Sequence, residues 1–322
     1  MKIQMKRAAA TVAAVLFVAM LAVPALTTSV FAAGASYDQQ VLQARYDAVS
    51  ARVDFASGVL TDTATLITNA SDLNAPAGKL NGDLGTLKGY ASSGDKSGFN
   101  SYLTGTVQPD MTAAMAAFKD DRTHFKAWGV SASTIQQLKA DYQSRKNTLD
   151  QQTAAAVIEL GNVRLNYYND VMSKDDQRMS QLSAKGIDVS GMQSVKSEAM
   201  SNVVSPLQTA VSSGNADAVK AQLHDKCIGN GQPYSDHFFA KSDLAALTAT
   251  SARIGSGTDN ATVQQQLSDV NSKLSAAQGT LSSVGTSPYT SDQQNQVWNN
   301  LKAASDGLKT ILKELNSQNK QG

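Results

Sequence analysis

The chain has 322 residues, with 28 basic and 27 acidic side chains and 42% hydrophobic residues. That near-neutral balance is spread along the chain and leaves no electrostatic footprint for nucleic acid or anionic lipid. One cysteine, Cys227, excludes an internal disulfide, and the length suffices for one or two domains with cores of their own.

Residues 1–32 read as a cleavable secretory signal. Lys2, Lys6 and Arg7 make a positive start, Ala8 to Val23 is an uncharged apolar run, and Pro24 breaks it. Val30-Phe31-Ala32 puts small residues where a signal peptidase needs them, so cleavage after Ala32 is expected, with Ala33-Gly34-Ala35 as a second position. Losing those three cations turns the formal charge from +1 to −2. No later stretch has the ~18 apolar residues of a membrane span, and no cysteine follows the apolar run to carry a lipid. The expected product is a secreted or extracytoplasmic protein, in the periplasm or held non-covalently at the cell surface.

The period of the apolar residues is helical nearly throughout. Leu42, Tyr46, Val49, Val53, Ala56, Leu60, Thr63 and Ile67 alternate in steps of four and three. Pro76 marks a second helix start with Asn74 as its cap, and Ala77, Leu80, Leu84, Leu87 and Ala91 carry it to Gly94. A third region runs from Asp95 to Trp128, interrupted at Pro109, with Met111, Met115, Phe118 and Phe125 on one face. Ser133 is expected to open the longest helix, about 50 residues and roughly 75 Å, ended by Gly186. Ser190 starts the next, with a kink at Pro206, and Ser213-Gly214-Asn215 precedes a short helix over Ala218 to Ile228. Gly229 to Ser235 is a loop, a helix follows near Asp236 to Ile254, and Gly255-Ser256-Gly257 ends it. Two heptad helices close the chain, one on Val263, Leu267, Val270, Leu274, Ala277, Leu281 and Val284, the other on Val297, Leu301, Ala304, Leu308, Ile311 and Leu315. The expected fold is all-α, an elongated helical bundle of long heptad-patterned helices. With 24 Asp against three Glu, and many Ser, Thr, Asn and Gln, these helices rely on packing more than on propensity.

Two internal echoes suggest a tandem duplication. Leu87 to Asp95 (LKGYASSGD) matches Leu207 to Asn215 (LQTAVSSGN) at an offset of 120, and Ser133 to Leu138 matches Ala261 to Leu267 with one insertion. Two helical units, 36–157 and 158–318, would then share the long helix; a compact single bundle is the competing arrangement.

Chemistry-bearing constellations are sparse. His224 and Cys227 share a helix face, and His237 lies across the Gly-rich loop beside Asp236, so the metal candidates are His224, Cys227 and His237. Their spacing fits no established zinc pattern; a partly buried thiol with two surface histidines is the plainer reading. Cys227 with a histidine as nucleophile and base has no supporting signature. Asp120-Asp121 and Asp175-Asp176 are adjacent, so each pair points to different helix faces and forms no dyad. Tyr167-Tyr168, Trp298 and Phe238-Phe239 are aromatic positions suited to a core or to a binding patch. Asn69-Ala70-Ser71 and Asn260-Ala261-Thr262 are glycosylation sequons. No cofactor is expected. The functional expectation is a non-enzymatic exported protein with a structural role or an interaction role, through a protein partner or self-association along its helices. A helical-bundle module binding a metal or small ligand at the two histidines and Cys227 is the alternative.

Overall fold

A computed structural model describes residues 37–223, 234–285 and 289–320, with the side chains of 234–236 and 318–320 outside the description. Among the described residues every regular element is helical, so the fold is all-α. The leader, the second cleavage position, His224, Cys227, Pro288 and the Gly229–Pro233 part of the predicted loop lie outside those residues. No described helix is long and apolar enough to cross a membrane.

Helix α1 covers 37–66 and ends in a 3₁₀ turn, Thr68–Leu73, before α2, Asn74–Ser93. Asn74 is the first residue of α2 and makes no side-chain cap; the preceding 3₁₀ turn feeds the helix instead. Gly94 then turns the chain at φ 76°, a left-handed conformation that favours glycine. Asp95 caps α3, Lys96–Tyr102, by accepting the Gly98 N–H at 2.8 Å. A π-type turn, Leu103–Val107, joins α3 to α4, Gln108–His124.

Helix α5 spans Ala132–Ser183, 52 residues. Its cap is Ser131, whose Oγ accepts the Thr134 N–H at 3.1 Å, two residues before the serine the sequence pointed to. Gly186, at φ 71°, ends the following turn. Asp188, not Ser190, supplies the local acceptor at the start of α6 (Ser190–Ala199), taking the Ser190 N–H at 2.9 Å. A second π-type turn, Met200–Val204, leads to α7, Ser205–Ser212, and α8 is Ala216–Gln222. Then come α9 (Tyr234–Gly255), α10 (Ala261–Val284) and α11 (Ser291–Lys320).

The two prolines expected to interrupt or kink their helices act through the π turns. Proline has no N–H and crowds the carbonyl four residues back. In both places the preceding residue reaches one carbonyl further: the Gln108 N–H donates to the Leu103 carbonyl, and the Ser205 N–H to that of Met200. Pro109 and Pro206 follow inside otherwise helical backbone. Each π turn takes up one extra residue and shifts the downstream face.

The chain divides into two compact units, 32–164 with 211–220, and 165–210 with 221–322 for what is described of them; the division falls inside α5. In the first unit Leu42, Val53, Leu60 and Ile67 of α1 and its end pack with Leu80, Leu84 and Leu87 of α2 and with Phe99 and Val107. In the second, Val263, Leu267, Val270, Leu274, Ala277, Leu281 and Val284 of α10 are all buried, against Val297, Leu301, Ala304, Leu308 and Ile311 of α11 and against α9. Leu315 is partly covered. Gly307 permits the α10–α11 approach, since a Cβ there would lie 2.7 Å from Val270 Cγ2.

Candidate functional site

The residue types able to do chemistry gather in two inter-helix seams, one in each unit. In the second unit, α9 presents three consecutive polar residues, Lys241, Ser242 and Asp243. Successive helical positions diverge by ~100°, so the three reach different neighbours. Lys241 Nζ pairs with Glu198 of α6 at 2.6 Å. Ser242 Oγ donates to Asp175 Oδ1 of α5 at 2.8 Å, and Arg178 of α5 donates to Asp243 Oδ1 at 2.5 Å. Asp176, the next residue after Asp175, turns outward and takes Lys196 of α6. The adjacent aspartates thus face different helices, as their spacing required.

Burial decides the character of this seam. Asp175 is 5% exposed, Ser242 2%, and the Arg178 side chain 4%. Asp175 Oδ2 has no hydrogen-bond partner among the described residues. Burial pushes the Asp175 carboxyl above the ordinary aspartate range; the Ser242 hydrogen bond and the Arg178 charge pull it back, and Asp243 and Asp176 raise it further. In the same unit Met179, Leu182, Ile187, Met192 and Ala246 form an apolar cluster, and a carboxyl as buried as Asp175 is poorly served by water.

In the other unit Lys79 and Asp83 lie four apart on α2 and face Tyr102 and Asp110. Tyr102 Oη donates to Asp83 Oδ1 at 2.8 Å, and Lys79 Nζ pairs with Asp110 Oδ1 at 2.6 Å. Eight residues of regular α-helix would leave Tyr102 and Asp110 about 80° apart; the π turn absorbs one residue and brings them to within roughly 20°. The Lys79 hydrogen bond and charge hold the Asp110 carboxyl below the usual carboxylate range despite some desolvation. Partial burial, with the Asp83 bond second, raises the Tyr102 hydroxyl.

Of the predicted metal ligands, only His237 is described. It is buried and stacks on Tyr289, ring centroids 4.0 Å apart and 9° from parallel. His224 and Cys227, and the Asp236 side chain, lie outside the description, so the trio is neither brought together nor separated. Among the described residues no group of three His, Cys, Asp or Glu side chains could hold a metal. The aromatic positions mostly enter cores: Tyr168 and Phe238 are buried, and Trp298 packs against the α10–α11 core. Asn260 serves as the α10 cap, accepting from the Thr262 and Val263 N–H groups, while Asn69 is exposed in the 3₁₀ turn.

The sequence reading missed both seams. Asp175 and Asp176 were noticed as a pair, yet their partners Ser242 and Lys196 stand 67 and 20 residues away. The signal that could have found the second seam is the x-Pro step at Gln108-Pro109, which announces a shifted helix face.

A polar groove of about 420 Å³ runs between α1 and α5 in the first unit, lined by Asp54, Phe55, Asp62, Asp141, Arg145 and Leu149 among others. Arg145 is already committed there, donating through Nε and Nη2 to both oxygens of Asp62. Geometrically, the seams join helices, and one of them holds a buried carboxyl whose proton affinity burial raises. Compared with known proteins, the chain matches no family model, no curated protein and no solved structure.

Proposed function

We propose that this is an exported, non-enzymatic helical protein with a structural or protein-interaction role outside the cytoplasm. The leader pattern of residues 1–32 supports export. One observation carries the interaction role: from 132 to 155, the first half of α5 contains no buried side chain, although Ile135, Leu138, Tyr142 and Leu149 lie on it. Tyr142 is 41% exposed and rests edge-on against Phe55. Leu138 packs on the unit's own core, and Tyr142 is the exposed large hydrophobic among the described residues; a helix half this thinly covered leaves room for a second helix beside it. The heptad residues of α10 and α11 are spent inside their own unit, so the proposed contact surface is this half of α5.

The chain is also read as two related helical units. Support comes from matching punctuation: Ser92-Ser93-Gly94-Asp95 and Ser212-Ser213-Gly214-Asn215 both place glycine at positive φ (76° and 66°). Both then cap a seven-residue helix by an Asx side chain, the second through Asn215 and the Ala218 N–H at 3.0 Å. Each helix runs into a π-type turn at a leucine, Leu103 and Leu223. An experimental structure in which 92–103 and 212–223 failed to superpose would remove this reading.

Two measurements test the function. Fractionation of producing cells with N-terminal sequencing should find the protein outside the cytoplasm, starting at Ala33; an uncleaved cytoplasmic chain overturns export. Light scattering over a concentration series, alone and with extracellular fractions, should show assembly that Tyr142→Asp abolishes. A species that stays monomeric and partnerless, with stoichiometric zinc lost on His224→Ala, would replace this reading by the metal-binding module.

A further inference from the structure

The Asp175 carboxyl sits where a charge is expensive and serves no role in the proposed function. Its side chain lies between α5 and α9, hydrogen-bonded to Ser242 and 5% exposed. One oxygen accepts a single hydroxyl; the other has no partner among the described residues. Among the described residues, the cation whose charge reaches it, Arg178, is committed to Asp243 on α9. An ionised carboxylate here would face a second carboxylate across a shared guanidinium, in surroundings that solvate neither fully. A neutral acid avoids most of that cost. The hydroxyl of Ser242 can rotate, so it can donate to the carboxylate or accept from the acid.

We propose that Asp175 is a proton-operated latch on the α5–α9 contact, closed when the side chain is a neutral acid and loosened when it ionises. The groups facing it are Arg178 and Asp176 from its own helix, and Ser242 and Asp243 from α9. Lys196 and Glu198 of α6 reach the same seam through Asp176 and Lys241. Ionisation therefore acts at the point where three helices are tied together, and α6 should loosen with α9. The upward displacement of the Asp175 proton affinity agrees with this geometry. The sign follows: an acid whose folded affinity for protons exceeds its unfolded one stabilises fully below the unfolded pKa, and that contribution fades as pH rises through the folded value.

The test compares the full chain with Asp175→Asn, which keeps the shape and cannot ionise. Urea-unfolding midpoints are measured from pH 8 down to pH 4. At pH 8 the variant should unfold at higher urea than the parent, and the gap should close as pH falls. A gap that is independent of pH, or that opens on acidification, overturns the latch. His237 is the other buried titratable group of α9, so His237→Asn must leave the closing of the gap intact; if it abolishes it, the histidine is the switch and the proposal fails. If Asp175→Asn does not fold, carboxyl ¹³C titration of the parent decides alone. A midpoint for Asp175 above the ordinary ~3.9 supports the latch, and one at or below it refutes it. Ser242→Ala, which removes the bond that favours the ion, should move that midpoint higher still.

Discussion

Gly58 shows how a single residue can carry a contact it does not make. It lies inside α1, where glycine costs up to ~1 kcal/mol relative to alanine. The Arg145 side chain crosses it to reach Asp62, and a Cβ at position 58 would stand 2.0 Å from Nη1 and 2.4 Å from Cζ. The missing methyl is thus the bed of a two-pronged ion pair. The pair is partly exposed, 37% for Arg145 and 24% for Asp62, which limits it to about 1 kcal/mol or less. Gly58→Ala should therefore fall between neutral and a stabilisation of under ~1 kcal/mol, because the helix gain and the lost pair oppose each other. In an Arg145→Ala background nothing occupies the bed, and the same change should stabilise by roughly 1 kcal/mol. Urea unfolding of the four chains measures the coupling; equal effects in both backgrounds would show that Arg145 does not lie there. Tyr102→Phe gives a second residue-scale expectation. It strips Asp83, 7% exposed, of its hydroxyl donor and should cost about 1–3 kcal/mol by the same measurement.

The element that sets the α2–α4 seam is the π turn at Leu103–Val107. It adapts the helix to Pro109 and adds the one residue that aligns Tyr102 with Asp110. Removing Gly105 while changing Pro109→Ala should give a regular helix with both side chains still facing α2. That double variant should unfold within ~1 kcal/mol of the parent. Removing Gly105 alone forces proline into a regular helix and should cost roughly 3 kcal/mol. Tyr102 fluorescence against urea follows both; a double variant as damaged as the single deletion would mean that the face alignment comes from elsewhere. The same element marks how far the sequence was readable. Helix identity and inward faces followed from the period, because residues such as Val263, Leu267 and Val270 are apolar wherever they must be buried. Glycine stops at 94, 129 and 186 were legible for the same local reason. Caps were less so: Ser131 and Asp188 do the work assigned to Ser133 and Ser190, since several hydroxyls and carboxylates compete within three residues. The π turns were invisible to a 3.6-residue template, which has no place for an extra residue. The seams were invisible too. Nothing in the local spacing of Asp175 names Ser242, and a buried aspartate reads like a solvated one until its neighbours are known. The histidines drew attention by their rarity, and the one described, His237, is packed against a tyrosine ring.

Across the molecule, acid acts with opposite signs at the Asp110 and Asp175 seams. Asp110 is held low by Lys79, so its contribution is present above the unfolded pKa and is lost as pH falls through the lower folded value. Asp175 is held high, so its contribution is present in acid and is lost as pH rises. Asp188, pulled down by the Ser190 N–H, behaves like Asp110 and marks the α6 start as the acid-sensitive end of its unit. Hydrogen exchange, corrected for the intrinsic pH dependence of amide rates, resolves these by segment. Below the ordinary aspartate value of ~3.9, amides of α2 and α4 should lose protection, and those at 188–193 should lose it as well. Amides of α5 beyond 170 and of α9 should keep or gain protection above that value, as pH falls from 7 to 4. Asp110→Asn should flatten the response of α2 and α4 without touching α9, and Asp175→Asn should do the reverse. Two independent flattenings would show that the pH responses are local to each seam. A uniform loss of protection in both units, unchanged by either variant, would instead assign the acid response to net charge accumulating over the whole chain. The discriminating quantity is therefore the sign of the α9 change, which charge repulsion alone cannot make positive.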